Sequence, residues 1–192
     1  MMAQRLILPI NKMRVTAGYK NAKYKQQFGY VHYGVDATDA KRTDKTIWAS
    51  GKGIVTHCGW HPTGGNVIVI VYKDCRLVTD AVKDIVIRYY HLDKILVKAG
   101  QEVTKDTRIG YYGNTGASSG AHLHFEVDID TKYPNYTPQT SKSNAILKAG
   151  IDSTINPRVA LWCKRSNPDC QYVTDSGYST VGLSDINYSI IE

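Results

Sequence analysis

Two apolar, β-branched runs, Gly53 to Trp60 and Asn66 to Lys73, flank the turn-forming stretch His61-Pro62-Thr63-Gly64-Gly65, and together they predict a hairpin. Within the second run, Val67-Ile68-Val69-Ile70-Val71 shows no polar alternation, which predicts a strand covered on both faces. A polar, cysteine-containing stretch from Asp74 to Asp84 predicts an excursion from the sheet, and Ile85 to His91 resumes the strand pattern. Val97 to Val103 predicts a strand-turn element, and Arg108 to Gly113 a further strand. The loop from Gly113 to Gly120 has no side chain large enough to block its surroundings. Ala121 to Asp128 then alternates cleanly. Leu123, Phe125 and Val127 point toward a core, while His122, His124 and Glu126 face the other way, toward a groove. Beyond Asp130 the chain turns polar and irregular to about Thr154, and Ile155 to Trp162 forms a short closing segment. The pattern predicts a mainly β fold with little helix, built on an antiparallel sheet that forms a sandwich or a partly open barrel.

Composition changes this picture little. The 192 residues suffice for one domain with a sizeable core, and 42% apolar with 21% charged residues is ordinary for a globular protein. Sixteen Gly and fourteen Tyr against two Phe suit a turn-rich β protein. No stretch has the apolar length of a membrane span. The run Leu6-Ile7-Leu8, broken by Pro9, is too short for a secretory signal, so the expectation is release by another route or a leader absent from this sequence. The net charge of +7 admits nucleic acid, anionic membrane or an anionic wall polymer as a partner, or simply a solvated face. Apart from a loose cluster at Lys12, Arg14, Lys20, Lys23 and Lys25 the cations are scattered, and no nucleic-acid motif is present, so no nucleic-acid partner is expected. Cys58, Cys75, Cys163 and Cys170 form no C-x-x-C pair. Cys163 and Cys170 are near enough to staple a loop in an oxidising place, or else serve as small apolar residues.

The chemistry lies in two distant segments. His122 and His124 project side by side from one strand face, and His32-Tyr33-Gly34-Val35-Asp36 adds an imidazole and a carboxylate with Gly34 between them to let the backbone bend. Two imidazoles and a carboxylate converging with a fourth position open make the ligand set of a catalytic zinc. Taken singly each residue is weak evidence. Asp36 alone reads equally as a turn cap, and His57 and His61 are assigned structural roles. No H-E-x-x-H helix supplies a glutamate base, so histidine is the candidate for proton transfer.

The segments His32-Tyr33-Gly34-Val35-Asp36, Tyr90-His91-Leu92, Gly113-Asn114-Thr115-Gly116 and His122-Leu123-His124-Phe125-Glu126 resemble those of the lysostaphin/LytM-type zinc endopeptidases. The resemblance runs from roughly Ile7 to Trp162 and implies a peptidase domain over 1–162, with insertions near 74–84 and 130–154 and an extension of unknown role over 163–192. It assigns one Zn²⁺ per chain to His32, Asp36 and His124, in a groove. It gives the proton chemistry to His91 and His122 jointly, against the bland alternative for His91 of a buried, backbone-bonded residue. It also implies a tyrosine near the oxyanion, with Tyr24 and Tyr30 as candidates. Glu126, on the face of the two histidines, is either an acceptor fixing an imidazole tautomer or an exposed strand residue.

The activity so implied is zinc-dependent hydrolysis of peptide bonds in bacterial peptidoglycan, in cross-bridge or stem peptide, through an activated water. A phage lysin or virion-borne hydrolase, or a secreted wall enzyme without its leader, is the matching setting. The alternative is an inactive relative that uses the groove to bind peptidoglycan or a partner; such relatives typically lack a ligand or a catalytic histidine, and all five positions are present here. A biotinyl or lipoyl carrier module, suggested by Val97 to Val103 alone, is discounted because it lacks the lysine-bearing hairpin tip and leaves H-x-H unexplained.

Overall fold

The computed structural model describes residues 2–135, 152–164 and 190–191. Among these the chain passes through β1 (Leu6–Ile7), β2 (Met13–Ala17), α1 (Ala22–Phe28), β3 (Val35–Asp39) and β4 (Thr46–Trp48). Next come β5 (Gly53–His61), β6 (Gly65–Arg76), β7 (Val82–Ile95), β8 (Glu102–Val103), β9 (Arg108–Tyr112) and β10 (Leu123–Asp128). β11 (Thr154–Ile155), a 3-10 turn over Pro157–Val159, β12 (Leu161–Lys164) and β13 (Ile190–Ile191) close the path. The large sheet has the order β2-β3-β10-β7-β6-β5-β8, with β11 beside β10 and β9 beside β7 and β4. Its neighbours run antiparallel, as the short strands and glycine turns lead one to expect, whereas β1 lies parallel to β12.

The period of two sorts the central strands into two faces. Ile68, Ile70, Tyr72, Ile85, Ile87, Tyr89, Leu123, Phe125 and Val127 enter the main core. Val67, Val69, Val86 and Tyr90 form a smaller cluster on the opposite face, which is why Val67 to Val71 is apolar without alternation. Each such side chain, fully buried, contributes about 1.5–3 kcal/mol relative to exposure. The N-terminal apolar run also goes inward: Leu6, Leu8, Ile10 and Met13 are buried in the main core.

Residues 74–84, expected from their polarity to leave the sheet, instead lengthen its central hairpin. β6 and β7 stay paired out to Cys75↔Lys83 and Arg76↔Val82, past a bulge beyond Tyr72. Asp74 and Asp80 adopt left-handed backbone (φ 51° and 64°), a conformation that aspartate tolerates better than most residues, so the polar stretch is the bulge and turn of a hairpin. Cys75 is a free, buried thiol that burial pushes up to about 12, which suits an inert apolar role. The helix α1 went unpredicted. Asn21 caps it by accepting from the Tyr24 N–H at 3.0 Å, and Gly29 (φ 78°) ends it in the left-handed region. The side chain of Cys163, Cys170, residues 136–151 of the expected insertion and most of the expected extension lie outside the described residues.

Candidate metal centre

The β3–β10 register places Asp36 directly opposite His124 and brings in His32 from the segment just before β3. Asp36 Oδ1 lies 2.8 Å from His124 Nδ1 and 3.1 Å from His32 Nε2, and those two nitrogens are 3.1 Å apart. All three side chains are buried. His32 Nδ1 donates to the Gly18 carbonyl at 2.8 Å, which leaves Nε2 with its lone pair turned toward the cluster. Gly34 matters for space rather than for bending. A Cβ there would stand 2.5 Å from the Phe125 carbonyl oxygen and 2.7 Å from His124 Nε2, so a side chain would displace the ligand ring.

This donor set fits zinc. Bonds of about 2.0–2.1 Å in a tetrahedron put donors about 3.3 Å apart, close to the spacings found, and two imidazoles with one carboxylate leave a fourth corner for water. In the metal-free protein a proton stands in for the ion. Burial opposes charge on His124, yet hydrogen bonds to Asp36 and Glu126 hold its pKa up at about 9. Burial alone would raise Asp36, but His32, His122 and His124 hold it well below the usual carboxylate range. A metal must therefore displace the proton on His124. Its apparent affinity is expected to climb about tenfold per pH unit from 7 and to level off above His124's value. Calorimetric titration in buffers of different ionisation enthalpy counts that proton, and an affinity that is flat with pH would contradict it.

Two more imidazoles border the cluster. His91 sits in β7 with its backbone left-handed (φ 61°), a strained state for a residue other than glycine. Three hydrogen bonds hold it there, each 2.8 Å: His91 N–H to the Gly64 carbonyl, Gly113 N–H to the His91 carbonyl, and His91 Nδ1 to the Thr115 carbonyl. His122 Nδ1 donates to the Gly120 carbonyl at 2.7 Å, and its Nε2 lies 3.5 Å from Asp36 Oδ1. Both rings thus carry their proton on Nδ1 and offer Nε2, with ring centres 4.9 Å apart. Burial and the neighbouring His124 push His91 down to about 4. Burial also disfavours charge on His122, but Asp36 outweighs it and the pKa rises. His91 is bonded to backbone and also lines the groove above the cluster.

Above the cluster lies an open groove of about 1340 Å³, whose lining includes Tyr24, Tyr30, His91, Ser118, Gly120 and His122. Tyr24 stacks on His32 with ring centres 4.3 Å apart, and its hydroxyl meets that of the more exposed Tyr30 at 3.2 Å. Burial and Asp36 push the Tyr24 pKa upward, so its hydroxyl keeps its proton. Glu126 is buried, with Oε1 3.5 Å from His124 Nε2, so the exposed-strand alternative falls away. His61 Nδ1 accepts from the Gly64 N–H at 3.0 Å and closes its turn, a structural role. His57 is not among the groove residues. The Gly18 and Thr115 carbonyls, which set the tautomers, escape sequence reasoning because every residue type carries one.

The model of peptidase family M23 matches residues 30–136. The peptidoglycan DD-endopeptidase ShyA of Vibrio cholerae is 42% identical over 83 residues, which are 43% of this chain but 17% of ShyA. Among solved structures, a zinc-containing peptidase from Vibrio cholerae aligns with a TM-score of 0.52 at 33% identity, over 65% of this chain and 37% of that one. The catalytic domain of the antimicrobial peptidase lysostaphin from Staphylococcus simulans aligns with a TM-score of 0.54 at 25% identity, over 77% and 90%. The family match takes in more than half of the 192 residues and every side chain placed around the metal cluster except Tyr24, so the chain belongs to peptidase family M23.

Proposed function

We propose that this chain is a zinc-dependent endopeptidase that cuts peptide bonds in bacterial peptidoglycan, in the cross-bridge or the stem peptide. The observation that carries the reading is the complete His32–Asp36–His124 cluster at the base of a groove with His91 and His122 at its rim. The substrate class draws support from relatives named as peptidoglycan endopeptidase and antimicrobial peptidase. A basic chain suits an anionic wall, and a groove of this size and openness suits an extended peptide better than a small ligand.

Bound zinc would act as a Lewis acid and lower the pKa of a coordinated water to about 7. The chain's own groups do the rest. His91 and His122, each tied to a backbone carbonyl through Nδ1 and so left with Nε2 for proton exchange, share the removal of the water's proton and its delivery to the leaving amine. Tyr24, with its hydroxyl protonated, donates toward the carbonyl oxygen as negative charge grows there. The glycine-rich walls at Gly64 and Gly120 leave room for a peptide backbone to lie against the site.

Incubation with purified cell walls of several cross-link types, with and without chelator, tests this reading. New amino termini are expected only in the chelator-free arm, and their identity gives the bond cleaved. Zinc-loaded protein that binds walls yet releases no amine would favour the inactive binding relative.

A further inference from the structure

The β7–β10 register pairs His124 with Tyr90, Glu126 with Arg88 and Asp128 with Val86, so His124, Glu126 and Asp128 share one face with Arg88 and Tyr90. Arg88 is completely buried, as are Glu126 and Asp128. Its guanidinium reaches Glu126 Oε2 at 3.3 Å through Nη1 and Asp128 Oδ2 at 2.9 Å through Nη2, and Nε donates to the Pro134 carbonyl at 2.6 Å. The Tyr90 hydroxyl adds a donor to Glu126 Oε2 at 3.4 Å. The two oxygens of Glu126 therefore divide their work. Oε2 takes the donors from Arg88 and Tyr90, and Oε1 is left facing His124 Nε2.

We infer that Glu126 and Arg88 are positioning residues for the metal: Arg88 fixes the Glu126 carboxylate so that it accepts the Nε2–H of His124 and keeps the Nδ1 lone pair aimed at the ion. The inference rests on the zinc reading above and deepens it. A buried cation costs several kcal/mol in lost hydration unless it is fully paired, so a strand needing only a filler would place a valine at Arg88, as at Val86 and Val69 nearby. The fork of Arg88 bridges two carboxylates, Glu126 through Nη1 and Asp128 through Nη2, while Nε is tied to a carbonyl, a fixed three-way span that the single ammonium of lysine cannot copy. Through Pro134 the same guanidinium holds the chain that leaves β10, so the first residues of the expected 130–154 insertion belong to the same hydrogen-bonded set as the ligand.

The test compares wild type with Glu126→Gln, Arg88→Lys and Asp128→Asn, each checked for folding by circular dichroism and melting temperature. Zinc affinity is read by competition with a chromophoric chelator, and ligand geometry by the visible absorption of the cobalt-substituted protein. In Glu126→Gln the amide oxygen stays with Arg88 and Tyr90, and the NH₂ meets the Nε2–H of His124, donor against donor. Affinity is expected to fall about 10- to 100-fold with a changed cobalt spectrum. Arg88→Lys is expected to move both readouts in the same direction. Asp128→Asn, which touches Arg88 but not His124, is expected to lower the melting temperature and leave affinity and spectrum alone. Wild-type affinity in Glu126→Gln, or equal losses in Glu126→Gln and Asp128→Asn, would overturn the inference. A wild type that takes up no zinc would instead defeat the zinc reading beneath it.

Discussion

His124→Ala is expected to lose zinc by at least two orders of magnitude in affinity and to release no wall peptide at any zinc concentration the walls tolerate. Four-ligand zinc sites hold the ion by about 10–16 kcal/mol, so one protein ligand carries on the order of 3 kcal/mol or more, roughly a hundredfold. The loss here is greater than for a peripheral ligand, because His124 is the hinge between two sets of contacts. Its Nδ1 meets Asp36 and His32, and its Nε2 faces Glu126. Asp36→Ala and His32→Ala should behave alike, and His57→Ala, outside the groove lining, should retain metal and activity. Metal content by mass spectrometry and amine release from walls check this together. Full turnover by a zinc-free His124→Ala protein would end the metallopeptidase account of this site.

Much of the site was legible because its chemistry sits on elements of period two. His122 and His124 had to share a face, and Leu123, Phe125 and Val127 told which face that was. What converges on them was legible only as a motif: pairing Asp36 with His124 needs a long-range register that spacing does not reveal. Gly34 was noticed for the wrong reason, since backbone freedom is a property of the residue, while the approach of the His124 ring is a property of the fold. Residues 74–84 misled because polar composition marks an exposed hairpin end as well as it marks a loop. The helix α1 left a faint trace in Asn21 and Gly29 at its ends, but it buries no residue completely and so has no apolar stripe to read. Arg88 did leave a signal. A lone arginine inside Ile85-Val86-Ile87-Arg88-Tyr89-Tyr90 either breaks the strand or is paired within it, and the acidic residues that pair it, Glu126 and Asp128, recur at period two on the neighbouring strand.

The second large effect concerns the rim histidines. His91→Ala and His122→Ala are each expected to keep one zinc per chain and to lower kcat about 10²–10⁴-fold, the usual worth of a positioned acid–base group. The loss is expected in kcat, with KM little changed, as for groups that act on the proton in flight. The double variant should lose far less than the product of the single losses, as groups that act as one unit do. His91 offers a control that separates catalysis from folding. Alanine there keeps the left-handed strain and forfeits the hydrogen bond to the Thr115 carbonyl, whereas His91→Gly forfeits the bond and relieves the strain. The glycine variant should therefore be about 1–2 kcal/mol more stable than the alanine variant while turning over just as slowly. Melting curves beside single-substrate kinetics decide it. If activity tracked stability, with glycine restoring turnover, His91 would be a structural residue and the proton would have to travel through His122 alone.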